Sequence, residues 1–221
     1  MTIIADQSRK RSLKAISKAK APSKAFRRIV SSLPARFETN PTRKTNPQDV
    51  LHKTMRSKNM DIAIVDTLGI TNFFEDPTSE EIGAYGSDVL TAIRSSNLQQ
   101  LRQFVAEGRP LKCSNQFGES LLHLACRRGL VDVVAFLIKE AGVTVKVRDD
   151  YGRTPLHDAC WTASPNFDLI SLVVAECPRL LFMTDRRGHT PLSYARQDQW
   201  AAWVEFIQSN ESLIFPATAK Q

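Results

Sequence analysis

The sequence predicts an all-α fold: a short α-solenoid of about four helix-turn-helix repeats with hairpin-like turns, preceded by a basic, largely disordered N-terminal arm. Three observations carry this prediction. A pattern of turn, cap and helix recurs at near-constant spacing after Gly86. Each unit holds two short apolar stripes that neither helix can bury alone, so neighbouring units must stack. The first 60 residues are too basic and too poor in large apolar side chains to build a core.

The charge is split along the chain. The net charge is +7 over 221 residues, but residues 1–60 hold 15 Lys and Arg against 3 Asp and Glu, while the remainder holds 15 against 20. A basic arm (1–59) and a mildly acidic body follow. Within the arm, Phe26, Ile29, Val30 and Leu33 have helical spacing, and Val50, Leu51 and Met55 follow an Asn46-Pro47 helix start. Each patch is short enough to need a partner surface. Residues 60–85 turn acidic and carry Phe73-Phe74, which reads as a connector docking on the edge of the domain. The domain itself is expected over 86–210, with a tail at 211–221.

Four units align. "GESLLHLACRRGLVDVVAFLI" (118–138), "GRTPLHDACWTASPNFDLISLVV" (152–174) and "GHTPLSYARQDQWAAWVEFI" (188–207) stand at offsets of 34 and 36 residues, the extra two falling near Ala163 to Asn166. "SDVLTAIRSSNLQQLRQFVAEG" (87–108) precedes them at an offset of 32. The repeats therefore lie near 86–117, 118–151, 152–187 and 188–210. Asn115, Asp149 and Asp185 open tight turns that close on Gly118, Gly152 and Gly188, the first by side-chain bonds to the backbone and the second by taking positive φ. Ser120, Thr154 and Thr190 are helix caps, and Pro155 and Pro191 fill the first helical position, where no N–H is needed.

With these residues in register, the chain resembles the ankyrin repeat family, whose unit reads DxxGxTPLHxA; "DDYGRTPLHDAC" at 149–160 matches it almost throughout. The resemblance covers roughly 86–210. It departs in the first unit, which lacks TPLH and suits a cap, and in the last, where Ser193 and Tyr194 replace the usual His and apolar residue. Trp200 and Trp203 are expected to seal that end, and "CWTASPNFD" to lengthen and push out the turn of the third unit. Asp158 is expected at an edge or bonded to neighbouring backbone.

His123 with Cys126 and His157 with Cys160 repeat an HxxC spacing. Two His and two Cys from different layers make no closed metal set, and no nucleophile, base and orienting group converge on one cleft. The resemblance implies that these histidines bond backbone between adjacent turns. No enzyme activity, metal or cofactor is expected. The four cysteines, spaced 13, 34 and 17 apart, form neither a metal knuckle nor a disulfide framework and point to a reducing compartment.

The resemblance also implies a concave groove for protein partners, lined here by Phe117 and Glu119, Arg127 and Arg128, Tyr151 and Arg153, Trp161 and Thr162, and Arg186, Arg187 and His189. Trp161 shares its register with Arg127 and Gln197, so the scaffold does not dictate its type and it is expected to face outward; the alternative packs it beneath the lengthened turn. A basic and aromatic lining suits an acidic peptide or helix with apolar anchors. The arm has several readings: import signal ("RKRS", Arg9 to Ser12), weak polyanion contact through residues 1–59, organellar presequence, or contact with the body itself. Phosphorylation at Ser12 or Ser31 would weaken any polyanion contact. The functional expectation is a monomeric, non-catalytic adaptor of the cytoplasm or nucleus without a transmembrane segment. The alternative is a nucleic-acid-associated regulator, with the arm on phosphate and the repeats on protein.

Overall fold

The computed structural model describes residues 45–216. The expectations placed on residues 1–44, among them the Phe26–Leu33 patch, Arg9–Ser12 and Ser31, lie outside the described residues.

Four repeats stack in chain order. The first pairs α3 (Ser87–Arg94) with α4 (Leu98–Ala106), the second α5 (Leu121–Arg127) with α6 (Val131–Lys139), and the third α7 (Pro155–Cys160) with α8 (Phe167–Glu176). The fourth departs from the pattern. Its first helix is one 3-10 turn, Pro191–Tyr194, followed by α9 (Trp200–Ser209). The physical reason is visible in the caps. Ser120 and Thr154 exchange capping-box bonds with His123 and His157, whereas Ser193 supplies no ring and Thr190 bonds Ser193 Oγ instead. One core runs through the stack, from Ile93 and Leu101 through Leu122, Leu137, Leu156, Ile170 and Val173 to Trp203.

The hairpins between units are built alike. Asn115 Oδ1 accepts from the backbone of Phe117 and Glu119, Asp149 Oδ1 from Tyr151 and Arg153, and Asp185 Oδ1 from Arg187 and His189, all at 2.8–3.0 Å. Tips then bond to each other: Asp150 N–H donates to Phe117 O at 3.0 Å and Arg186 N–H to Tyr151 O at 2.8 Å. This ladder is what fixes the spacing of side chains along the row of tips.

Residues 45–85 form a strap along the stack, from its last repeat to its first. Asn46 caps α1 (Pro47–Ser57), whose Leu51 is fully buried. α1 packs on α9 and on the Pro191–Tyr194 turn, and Thr190 Oγ1 donates to Gln48 Oε1 at 2.7 Å. Charge alone groups residues 45–59 with the arm; their apolar stripe instead seats them on the body. α1 also covers the end where Trp203 stands fully buried against Phe167 and Phe206, so the seal is a helix from the other end of the chain as well as the Trp pair.

The strap continues as β1 (Val65–Asp66), a parallel pair with β2 (Met183–Thr184) that adds two short strands to an otherwise helical fold. Thr67, fully buried, donates its hydroxyl to Gly152 O at 2.7 Å. Farther along, Lys146 and Arg179 stand over Phe73, each at 5.3 Å, and Glu75 N–H reaches Lys146 O at 3.2 Å. Lys112 pairs with Glu75 and with Glu81 of α2 (Ser79–Gly83). At the C-terminus, α10 (Glu211–Ile214) and Phe215 tuck back onto α8, with Ile214 and Phe215 buried.

Candidate functional site

The tip ladder aligns Phe117, Tyr151 and Arg187, each preceding its glycine, and Glu119, Arg153 and His189, each following it. Phe117 is 56% exposed and Tyr151 54%. Trp161, the C-cap of α7, is 59% exposed. That value decides between the two placements of its ring: it stands in solvent and is not enclosed by the Thr162–Asn166 turn, whose own Ala163 and Ser164 are also exposed. Exposed aromatics of this size leave apolar area in water that the core could have taken.

Between repeats 3 and 4 these side chains enclose a cleft of about 230 Å³, lined by Tyr151, Arg153, His157, Asp158, Trp161, Asp185, Arg187 and Tyr194. Four of the sequence-predicted residues, Tyr151, Arg153, Trp161 and Arg187, meet there. Phe117, Glu119, Arg127 and Arg128 belong to the adjoining repeat; Thr162 turns its hydroxyl to Ala159 O at 3.2 Å, and Arg186 and His189 are exposed on the last tip. His157, Asp158, Asp185 and Tyr194 line the cleft and were not among the residues expected in the groove. Tyr194 had a signal, because a Tyr replaces an apolar residue in an otherwise regular unit.

The floor of the cleft is locked. In each histidine, the backbone N–H of the cap residue donates to Nδ1, Ser120 at 3.1 Å and Thr154 at 3.0 Å. Nε2 faces a carbonyl of the next hairpin, Arg153 O at 2.9 Å for His123 and His189 O at 3.1 Å for His157. A carbonyl can only accept, so the proton sits on Nε2 and the ring is neutral. Burial pulls the His157 pKa down to about 4. The cysteines of the HxxC spacing are both buried, and burial pushes their thiols up, away from the reactive thiolate. Among the described residues no group of three or more His, Cys, Asp or Glu side chains could hold a metal ion.

Charge on this face differs from what the residue types suggest. Arg127 is held in an ion triad, its guanidinium bonded to Glu119 and, at 3.0 Å, to Asp158. Asp158 is buried, not at an edge, and its partner is this side chain and not backbone. Desolvation raises its pKa even so. Arg153 closes on Asp149 through Nε at 2.8 Å and Nη2 at 2.5 Å. Asp185 donates nothing: its Oδ2 accepts from Tyr194 Oη at 2.5 Å. Burial works against that carboxylate, yet the bonds from Tyr194, His189 and Arg187 hold it below its ordinary pKa, and Tyr194 rises to about 12 through burial and the same bond. Arg128, Arg186 and Arg187 are exposed and make no ion pair among the described residues.

Residues 89–177 match the family model described as ankyrin repeats, three copies. The SMC5-SMC6 complex localization factor protein 1 of Bos taurus is 35% identical over 79 residues, 36% of this chain and 7% of its own length. BCL-6 corepressor-like protein 1 of Homo sapiens is 41% identical over 64 residues (28% and 4%), and Rabankyrin-5 of Homo sapiens 36% identical over 95 (43% and 8%). The chain thus spans less than a tenth of the length of these relatives. Ankyrin repeats as a family bind proteins and are typically non-enzymatic, and no described helix is long and apolar enough to cross a membrane. Matched motif, matched register and stacked helix pairs agree that residues 89–177 are ankyrin repeats.

Proposed function

We propose that this chain is a non-catalytic adaptor that binds a partner protein through the groove and hairpin tips of its repeats, acting as a monomer in the cytoplasm or nucleus. The observation that carries the reading is the row formed by Phe117, Tyr151 and Trp161, each more than half exposed on a rigid hydrogen-bonded scaffold. Large aromatic surface held at low entropy cost is the usual source of interface energy. The partner it suits is a polypeptide segment with apolar anchors and acidic residues. Relatives named as a complex localization factor and a corepressor fit an adaptor role.

The test is affinity purification with wild type and with Trp161→Ala/Arg187→Glu, two exposed positions whose replacement should leave the melting temperature within a few degrees. Loss of specific partners in the double variant supports the reading; an unchanged set of partners refutes it. Arg127 is unsuitable for this purpose, because reversing its charge would leave Glu119 and buried Asp158 facing a third carboxylate.

The second reading, a nucleic-acid-associated regulator, rests on the 12 Lys and Arg against 2 Asp and Glu in residues 1–44. Binding to single- or double-stranded DNA that falls steeply with salt and disappears on truncation of 1–44 would favour it.

A further inference from the structure

The groove is polarised along the stack. Over repeats 2 and 3 two of its three arginines are neutralised internally, Arg127 by Glu119 and Asp158 and Arg153 by Asp149, which leaves Arg128 as a single unpaired charge there among the described residues. On the tip that leads into repeat 4 neither arginine is. Arg186 and Arg187 stand side by side on an exposed tip with no carboxylate partner among the described residues. The nearest carboxylate in sequence, Asp185, cannot serve them: it is 3% exposed, Oδ1 is taken by two backbone N–H groups and Oδ2 by Tyr194. The pair is also held in place, since the Arg186 N–H bonds Tyr151 O at 2.8 Å and Arg187 lines the same cleft as Tyr151 and Trp161.

We infer that the partner segment binds in one orientation: an aromatic or long aliphatic anchor enters the cleft against Trp161 and Tyr151, and aspartates or glutamates beside that anchor lie on the Arg186–Arg187 tip. This rests on the protein-binding reading of the groove and adds which end of it takes which chemistry. A guanidinium left without an internal partner offers paired donors to a carboxylate, whereas a cationic flank would meet two like charges there. A cleft of about 230 Å³ has room for one side chain and not for a folded element.

The experiment uses the full chain and fluorescein-labelled synthetic peptides read by anisotropy. One carries Leu-Trp followed by a run of glutamates, one the glutamates alone, one Leu-Trp followed by lysines; a single-stranded oligodeoxynucleotide is the fourth probe. The anchored acidic peptide should bind most tightly. Arg186→Glu/Arg187→Glu should weaken it about tenfold or more and flatten its salt dependence. Arg128→Glu, one unpaired arginine in repeat 2, should do less. Trp161→Ala should weaken binding while leaving the salt slope intact. If the lysine peptide binds as well, if the anchored acidic peptide does not bind, or if charge reversal at 186 and 187 changes neither affinity nor slope, the orientation is wrong; loss on Trp161→Ala with any of these probes would then keep the groove itself. If Trp161→Ala has no effect and the oligonucleotide binds best until residues 1–44 are removed, both the orientation and the groove reading fail.

Discussion

Tyr151 and Gly152 are chain neighbours on one hairpin tip, yet they face opposite worlds. Tyr151 is more than half exposed beside Trp161, and Gly152 is pressed against Thr67 and Leu68 of the strap. In this way a short repeat stack keeps one face of its tips free. The strap ties down the back of the tips, at Gly152 and through β1 on β2, and the histidine bonds tie their feet, so the side chains on the other side can stand in solvent without the scaffold loosening. Changes on the tied side should cost stability; changes on the free side should cost binding.

The largest effect is expected at Gly152. Its φ is +74°, and a Cβ there would lie 2.3 Å from Thr67 Oγ1, a hydroxyl committed to Gly152 O. Gly152→Val combines a left-handed β-branched residue, overpacking and a broken buried bond, which together cost about 4 kcal/mol. Denaturant unfolding would show it. Gly152→Val with wild-type stability would mean the strap does not bear on the tip.

Acid should reach the same tied side through His157. Its free imidazole titrates near 6.5 and the buried ring near 4. The unfolded chain therefore takes up the proton first, so stability is full above pH 6.5, declines as pH falls below it, and stops declining under about pH 4. The loss is about 2 kcal/mol by pH 5 and about 3 kcal/mol in all. Carboxylates also titrate in this range, so the measurement is the difference between wild type and His157→Asn: the variant should start less stable at pH 7 and show a shallower slope between pH 6.5 and 5. Parallel slopes would show that His157 is not held neutral.

Leu51→Ala tests the far end of the strap. The side chain is fully buried where α1 covers α9, and its truncation should cost about 2–3 kcal/mol, toward the lower part of the usual range because a docked surface helix can resettle. Loss of protection from hydrogen exchange should appear first in α1 and α9. Uniform loss would mean that α1 is not a separate layer.

What was legible in the sequence and what was not follows the same division. The tips were legible because Asn115, Asp149 and Asp185 recur with their glycines at fixed offsets, and the caps because Ser120, Thr154 and Thr190 each stand two residues after such a glycine, with Pro155 and Pro191 following the last two. Trp161 was legible as an outward position because its register holds unrelated residue types. The pairing of Arg127 with Asp158 was not, since it joins residues 31 apart in two different repeats and only one of those repeats carries the carboxylate. Nor was the bond from Thr67 to Gly152, which spans 85 residues and begins in a segment without any period. Local rules reach one hairpin or one cap; cross-chain contacts of single residues leave no pattern to read.

The smallest effect on stability, and the sharpest use of the comparison, belongs to Trp161→Ala. The ring is 59% exposed and follows the last residue of α7, so its removal opens no cavity and breaks no side-chain hydrogen bond among the described residues. The change in unfolding free energy should stay within about 0.5 kcal/mol, the usual range for a surface position. The neighbouring Cys160 is fully enclosed, and truncating it to Gly should cost more than removing the whole indole. A larger loss at Trp161 than at Cys160 would show that the indole covers the Thr162–Asn166 turn in solution, and the free face would then shrink to Phe117, Tyr151 and the arginine tip.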